Sequence, residues 1–195
     1  MTCVAEQDER EMPRQRELSA IVNTRARFLA IVGGVLALGA KRREDPGWHH
    51  VHGTNGLTLS TTAPLEFAVT LLDGTPFRLS DHRGTLVVLN LFATWCGPCR
   101  AEEPDVAAFA AAHASDTIVV SVDIGETPEH AREFRGAFDV TYPLALDESQ
   151  AAFKAIGMKE YPTTLFIRPS GRLACAFVGQ LSRADLEIER THALA

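Results

Sequence analysis

The feature that most constrains this chain is a junction between two kinds of segment. Residues 85–92 (TLVVLNLF) form an unbroken β-branched and aliphatic run, the pattern of a central strand buried on both faces. Two residues later comes Trp95-Cys96-Gly97-Pro98-Cys99, and then residues 101–112, an alanine-rich stretch that favours helix and carries Pro104, which is expected to interrupt and kink it. A pair of cysteines therefore stands where a strand ends and a helix begins. Unpaired N–H groups and the macrodipole at a helix N-terminus favour negative charge, so Cys96 is expected to ionise below the free thiol value of about 8.5 and to act as nucleophile. Cys99, three residues on in the first turn, can reach Cys96 and resolve a mixed disulfide. A zinc site would need a second ligand pair at similar spacing, and Cys3 and Cys175 are isolated. The reading calls for no metal and no cofactor.

The segments around this junction read as an α/β domain. Residues 67–72 and 76–79, joined through Asp73-Gly74, form a hairpin. Residues 117–122 (TIVVSV) are a second buried strand, and with the intervening helix they make a parallel, right-handed βαβ unit. Thr127-Pro128-Glu129 opens a helix to 138 with a hydroxyl cap, a proline in the first turn and an acid near the positive end. A short strand over 142–146 and a helix over 148–156 stopped by Gly157 follow. Residues 163–167 and 173–178 make an antiparallel hairpin through Pro169-Ser170-Gly171, and Ser182 starts a terminal helix with Asp185 in its first turn. The expected architecture is a mixed central sheet flanked by helices on both faces, without repeats.

The first third of the chain has a different character. Residues 1–27 are polar and mixed in charge, a tail that buries little. Residues 28–40 (FLAIVGGVLALGA) are uncharged and almost wholly apolar, between Arg25 and Arg27 on one side and Lys41-Arg42-Arg43 on the other. As a helix this stretch spans about 20 Å against a hydrocarbon core of about 30 Å, which suits a signal h-region or a short anchor with snorkelling ends. It contains no cysteine, so a lipid-modified anchor is excluded there. Residues 41–64 read as a linker, and Trp48-His49-His50-Val51-His52 within it as a solvated tether more than a metal site. Residues 65–195 are the globular domain. A net charge of -6 offers no basic surface for phosphates, so nucleic acid is not a partner.

The motifs FATWCGPCRAEEP at 92–104 and GMKEYPTTLFIRPSGR at 157–172 resemble the thioredoxin fold, and more closely its membrane-tethered TlpA, ResA and CcmG (DsbE) branch of thiol-disulfide oxidoreductases. The αβ element over 127–146 matches the insertion that distinguishes this branch. The resemblance implies that Tyr161-Pro162-Thr163 is a cis-proline segment beside the two sulfurs, offering backbone groups to a substrate peptide, with Trp95 on the rim of the groove. Asn90 stands where thioredoxins carry a buried Asp beneath the resolving cysteine, so a base for Cys99 must come from elsewhere. Glu102 matches the acid of the CxxCxxExP pattern; partly buried on the same helical face as Cys99, it would have a raised pKa suited to proton exchange. The other reading of Glu102 is a helix-dipole acid, and Glu103 is taken as only that. Cys175 reads as an inert buried hydrophobe, and Cys3 as lying on the cytoplasmic side of an anchor.

The implied activity is protein-disulfide reduction outside the cytoplasm by Cys96 and Cys99. The branch further implies re-reduction by a membrane electron donor, and substrates such as apocytochrome c or a copper-site assembly protein. Three alternatives stand beside it. A cytoplasmic thioredoxin-like reductase follows if 28–40 is not an export signal. A peroxiredoxin-type peroxidase would want Pro and Thr where Leu89 and Ala93 stand, and a copper-binding factor of the Sco type would want CxxxC and a distant His.

Overall fold

The computed structural model describes residues 51–52 and 63–195. The tail, the apolar 28–40 segment, Cys3, Trp48 to His50 and most of the expected linker lie outside the described residues. Twelve elements follow in chain order: β1 Val51–His52, β2 Ala68–Leu71, β3 Pro76–Arg78, β4 Leu86–Phe92, α1 Gly97–Ala112, β5 Thr117–Ile124, α2 Pro128–Phe138, β6 Leu144–Asp147, α3 Ala151–Ala155, β7 Thr163–Ile167, β8 Leu173–Val178 and α4 Arg183–Leu194, with a short 3-10 turn at Leu79–His82. The strands form one sheet in the order β1-β8-β7-β4-β5-β6-β2-β3. Within it β4, β5 and β6 run parallel, while β7 is antiparallel to both β4 and β8, and β2 is antiparallel to β3 and β6.

All seven residues of β4 are buried, because alternate side chains feed two different cores. Val87, Leu89 and Leu91 pack with Phe77, Phe153 and Ile156 on one face. Leu86, Val88 and Phe92 pack with Phe109 of α1, Phe134 of α2 and Leu186 of α4 on the other. Asn90 is the one polar residue in that second row, and it marks the site described below.

Several local readings are corrected. The helix α1 runs without a break through Pro104, sixteen residues from Gly97. Proline removes one backbone donor, and burial of Val106, Phe109 and Ala110 beyond it outweighs that loss. Thr127 caps α2 by position but makes no side-chain cap bond. The strand expected from 142 begins at Leu144, since Tyr142 turns into the core and Pro143 has no N–H for a ladder. The helix expected from 148 begins at Ala151, because Gln150 takes a left-handed conformation with φ 60°. Within the expected linker, Val51–His52 pair in parallel with Ala176 and Phe177 of β8. The capping box at the start of α4 is present as read, with Ser182 and Asp185 bonding each other's backbone N–H.

Candidate active site

Cys96 is the N-cap residue of α1 and Cys99 lies in its first turn, with Pro98 between them at a position where a missing N–H costs nothing. The two sulfurs are bonded, across a Cα–Cα distance of 5.3 Å. The Cys99 N–H points at Cys96 Sγ from 3.3 Å, so the sulfur occupies the place where a capping oxygen would accept. When the bond opens, the same N–H and the helix end face the Cys96 thiolate. Cys96 and Cys99 are both buried, and Trp95 beside them is 69% exposed.

Beneath the dithiol lies a chain of buried polar groups. Glu102, three residues after Cys99, is 1% exposed, more deeply buried than the sequence suggested. Its Oε1 accepts from Asn90 Nδ2 at 2.7 Å and its Oε2 from the Leu181 backbone N–H at 2.9 Å. Burial drives its pKa from the usual 4.5 to about 7 against those two bonds, with repulsion from Glu103 and Asp105 adding to the rise. Asn90 also donates to Thr164 Oγ1 and accepts from Ser121 Oγ. Ser121 meets Tyr142 OH at 2.8 Å, and Tyr142 bonds Glu103 Oε1 at the same distance. Glu103 is therefore no surface acid at a helix end: it is 2% exposed, and burial pushes its pKa to about 7 as well.

A second acidic group stands where β5 ends. Glu126 receives both the N–H and, at 2.7 Å, the hydroxyl of Thr94, the residue before Trp95. Asp123, fully buried next to it, faces Glu126 and has no other hydrogen-bond partner among the described residues; burial first, and then that neighbour, raises its pKa to about 8. Across the site the Tyr161–Pro162 peptide is cis. The register Leu91 to Thr163 places that bond beside Phe92 and Ala93, the residues leading to Cys96. The Tyr161 ring stacks on Phe153 at 5.0 Å and takes the edge of Trp95 at 5.9 Å. Trp95, Cys96, Cys99, Tyr161 and Pro162 thus gather at one end of the sheet, with Glu102 buried on the helix behind.

Sequence reasoning missed Glu126, Asp123, Ser121, Tyr142 and the burial of Glu103. Asp123 and Glu126 carried one usable signal: they stand at the carboxyl end of a parallel strand, Asp123 as its last residue but one and Glu126 just beyond it, where α/β sheets place their sites. Cys175 is buried as expected, and its thiol also donates to Glu189 Oε2 at 3.3 Å.

A mixed sheet carrying a Cys-Gly-Pro-Cys disulfide at the N-terminus of its central helix, faced by a cis-proline, defines a thioredoxin-like thiol-disulfide oxidoreductase. Residues 60–176 match the model of the AhpC/TSA family, and the chain belongs to that family. Among its relatives is the thiol-disulfide oxidoreductase ResA of Geobacillus kaustophilus, 30% identical over 132 residues, which are 67% of this chain and 75% of the relative. Among solved structures, a thioredoxin family thiol:disulfide interchange protein from Chlorobium tepidum has a TM-score of 0.61 at 28% identity, covering 72% of this chain and all of that one. The exposed lipoprotein thioredoxin Etrx1 of Streptococcus pneumoniae has a TM-score of 0.59 at 26% identity, covering 65% of this chain and 98% of the other.

Proposed function

We propose that this oxidoreductase works as a protein-disulfide reductase on the outer side of a membrane, held there by the 28–40 segment, and that cytochrome c maturation is its setting. The observation that carries the reading is the pairing of a Cys96 sulfur at the cap of α1 with a buried, elevated carboxyl three residues beyond Cys99. In the reducing cycle the Cys96 thiolate attacks one sulfur of a substrate disulfide, whose S–S bond breaks and releases a thiol after protonation. A mixed disulfide remains between Cys96 and the substrate. Glu102 takes the proton from Cys99, whose thiolate then attacks Cys96 Sγ, breaks the mixed disulfide and forms Cys96–Cys99. Two electrons have passed to the substrate, and a membrane electron donor would return them. Trp95, Tyr161 and Pro162 form the surface that receives the substrate chain, with Trp95 exposed and braced edge-on by Tyr161.

The setting outside the cytoplasm is supported by the apolar, charge-flanked 28–40 segment and by similarity to an exposed lipoprotein thioredoxin. Among the described residues no helix is long and apolar enough to cross a membrane.

Replacing Cys99 with Ser strands Cys96 in mixed disulfides, which can be isolated from cells and identified. Apocytochrome c attached to Cys96 is the expected result. Adducts of copper-site assembly proteins or of many exported proteins would move the reading to metallation or general reduction, and no adducts at all would overturn the reductase cycle.

A further inference from the structure

The polar chain beneath the dithiol has a donor count that does not close on its own. Three hydrogen bonds connect Asn90 to Glu103: Ser121 Oγ with Asn90 Oδ1 at 3.3 Å, Ser121 Oγ with Tyr142 OH at 2.8 Å, and Tyr142 OH with Glu103 Oε1 at 2.8 Å. An amide oxygen can only accept, and each hydroxyl carries one hydrogen. Ser121 and Tyr142 therefore supply two protons for three bonds. The third has to sit on Glu103. With Glu103 protonated, Glu103 donates to Tyr142, Tyr142 to Ser121 and Ser121 to Asn90, and every bond is made. With Glu103 ionised the chain reverses: Tyr142 donates to the carboxylate, Ser121 donates to Tyr142, and the buried Asn90 Oδ1 has no donor.

Asn90 is also the group that holds Glu102, through Nδ2 on Oε1. We propose that Glu103 is a positioning residue, whose proton sets the direction of the Tyr142–Ser121 chain and so decides how firmly Asn90 holds Glu102. The inference rests on the reading of Glu102 as the proton acceptor of Cys99. An Asn90 whose Oδ1 has lost its donor is less firmly fixed, its Nδ2 bond to Glu102 weakens, and that bond favours the Glu102 carboxylate, so ionising Glu103 makes Glu102 keep its proton to higher pH. Burial brings both carboxyls to about 7, so the reversal falls where thiol exchange operates.

The surroundings of Glu103 leave this chain as its outlet. Tyr142, from the segment before β6, faces it directly, and its own pKa is raised by burial and by the two glutamates. From β5 come Ser121 and, two residues on along the same face, Asp123, which meets Glu126. On α1 itself Glu102 is the adjacent acid. The turn before α4 gives its N–H to Glu102, and the buried Glu189 of α4 meets Cys175 and His192. Among the described residues no Lys, Arg or His is ion-paired with Glu103. Tyr142 also lines a cleft of about 330 Å³ with Thr117 and Thr141, which gives the chain an edge near water.

The test follows the Glu102 carboxyl by carbon NMR across pH in the full chain labelled at glutamate, the signal being assigned by its loss in Glu102→Gln. In the unmodified protein the Glu102 curve should be broader than a single ionisation. Glu103→Gln, whose amide donates to Tyr142 at every pH, should give a single ionisation with a lower midpoint. Ser121→Ala keeps Glu103, Tyr142 and their bond but leaves Asn90 Oδ1 unpartnered throughout. It should give a curve narrower than that of the unmodified protein, with a midpoint roughly half a unit to one unit above that of Glu103→Gln, the size of one hydrogen bond. A Ser121→Ala curve as broad as the original would mean that direct repulsion between neighbouring carboxylates carries the coupling, and would overturn the proposal. So would a single ionisation in the unmodified protein. A Cys99 titration that ignores Glu102→Gln, by contrast, would remove Glu102 as base and leave the coupling between the two glutamates to be judged on its own curves.

Discussion

At the scale of single residues, two acids that burial pushes upward are held in different ways. Glu102 is held by an amide and a backbone N–H, whereas Asp123 faces only the Glu126 carboxyl among the described residues and is accommodated there by keeping its proton. The sign of the resulting pH dependence is fixed. An Asp with an ordinary value of 3.8 and a folded value of about 8 binds more protons in the folded state throughout that window, so its share of stability falls as pH rises and levels off above about 8. Asp123→Asn, which presents a neutral side chain of the same shape, should flatten that part of the slope when urea melts are compared from pH 4 to pH 8. An unchanged slope would mean that Asp123 ionises in the folded protein. Glu102 could be found from sequence because its i+3 spacing from Cys99 puts both on one helical face. Glu103, at i+4 from Cys99, satisfies the same spacing rule, and what the sequence could not show is that Tyr142, thirty-nine residues on, closes over it. Asp123 and Glu126 meet the Trp95 loop only through the parallel pairing of β4 with β5, which aligns Phe92 with Asp123 across thirty residues of chain.

At the scale of elements, the site is assembled by the ends of helices and strands. The N-terminus of α1 addresses the Cys96 sulfur, and the turn ahead of α4 delivers the Leu181 N–H to Glu102. That turn is fixed by the capping box, so Ser182→Ala should cost about 1 kcal/mol of stability, read by denaturant unfolding. The same change should move the Glu102 titration upward, because it loosens the residue next to one of its two donors. A loss of stability with an unmoved Glu102 would separate the cap from the site. Most elements were legible because their punctuation is chemical: Gly157 ends α3 at φ 75° and Ser182 with Asp185 opens α4. The misjudged readings have two causes. Pro104, Tyr142 and Gln150 each follow what burial or a left-handed turn requires, and neither is visible in a local pattern.

At the scale of the whole molecule, the sequence divides into a globular oxidoreductase domain and an N-terminal region of other composition. Unbroken apolar runs, their turn residues and the βαβ rule were enough to give the mixed sheet, with β4 at its centre. They were not enough to place β1, whose two residues carry no strand pattern and depend on the free edge of β8. The proposed export signal belongs to this scale. Residues 1–60 fused ahead of a reporter active only outside the cytoplasm should give activity, and Leu36→Arg, which breaks the apolar run, should abolish it. Activity confined to the cytoplasm would turn the proposal into that of a general thioredoxin-like reductase.

The central claim is that the end of α1 makes Cys96 an attacking thiolate. The most direct measurement is the pH dependence of Cys96 alkylation in the reduced Cys99→Ser protein. The account predicts a midpoint below the free-thiol value of about 8.5. A midpoint at or above it would contradict the mechanism at its first step.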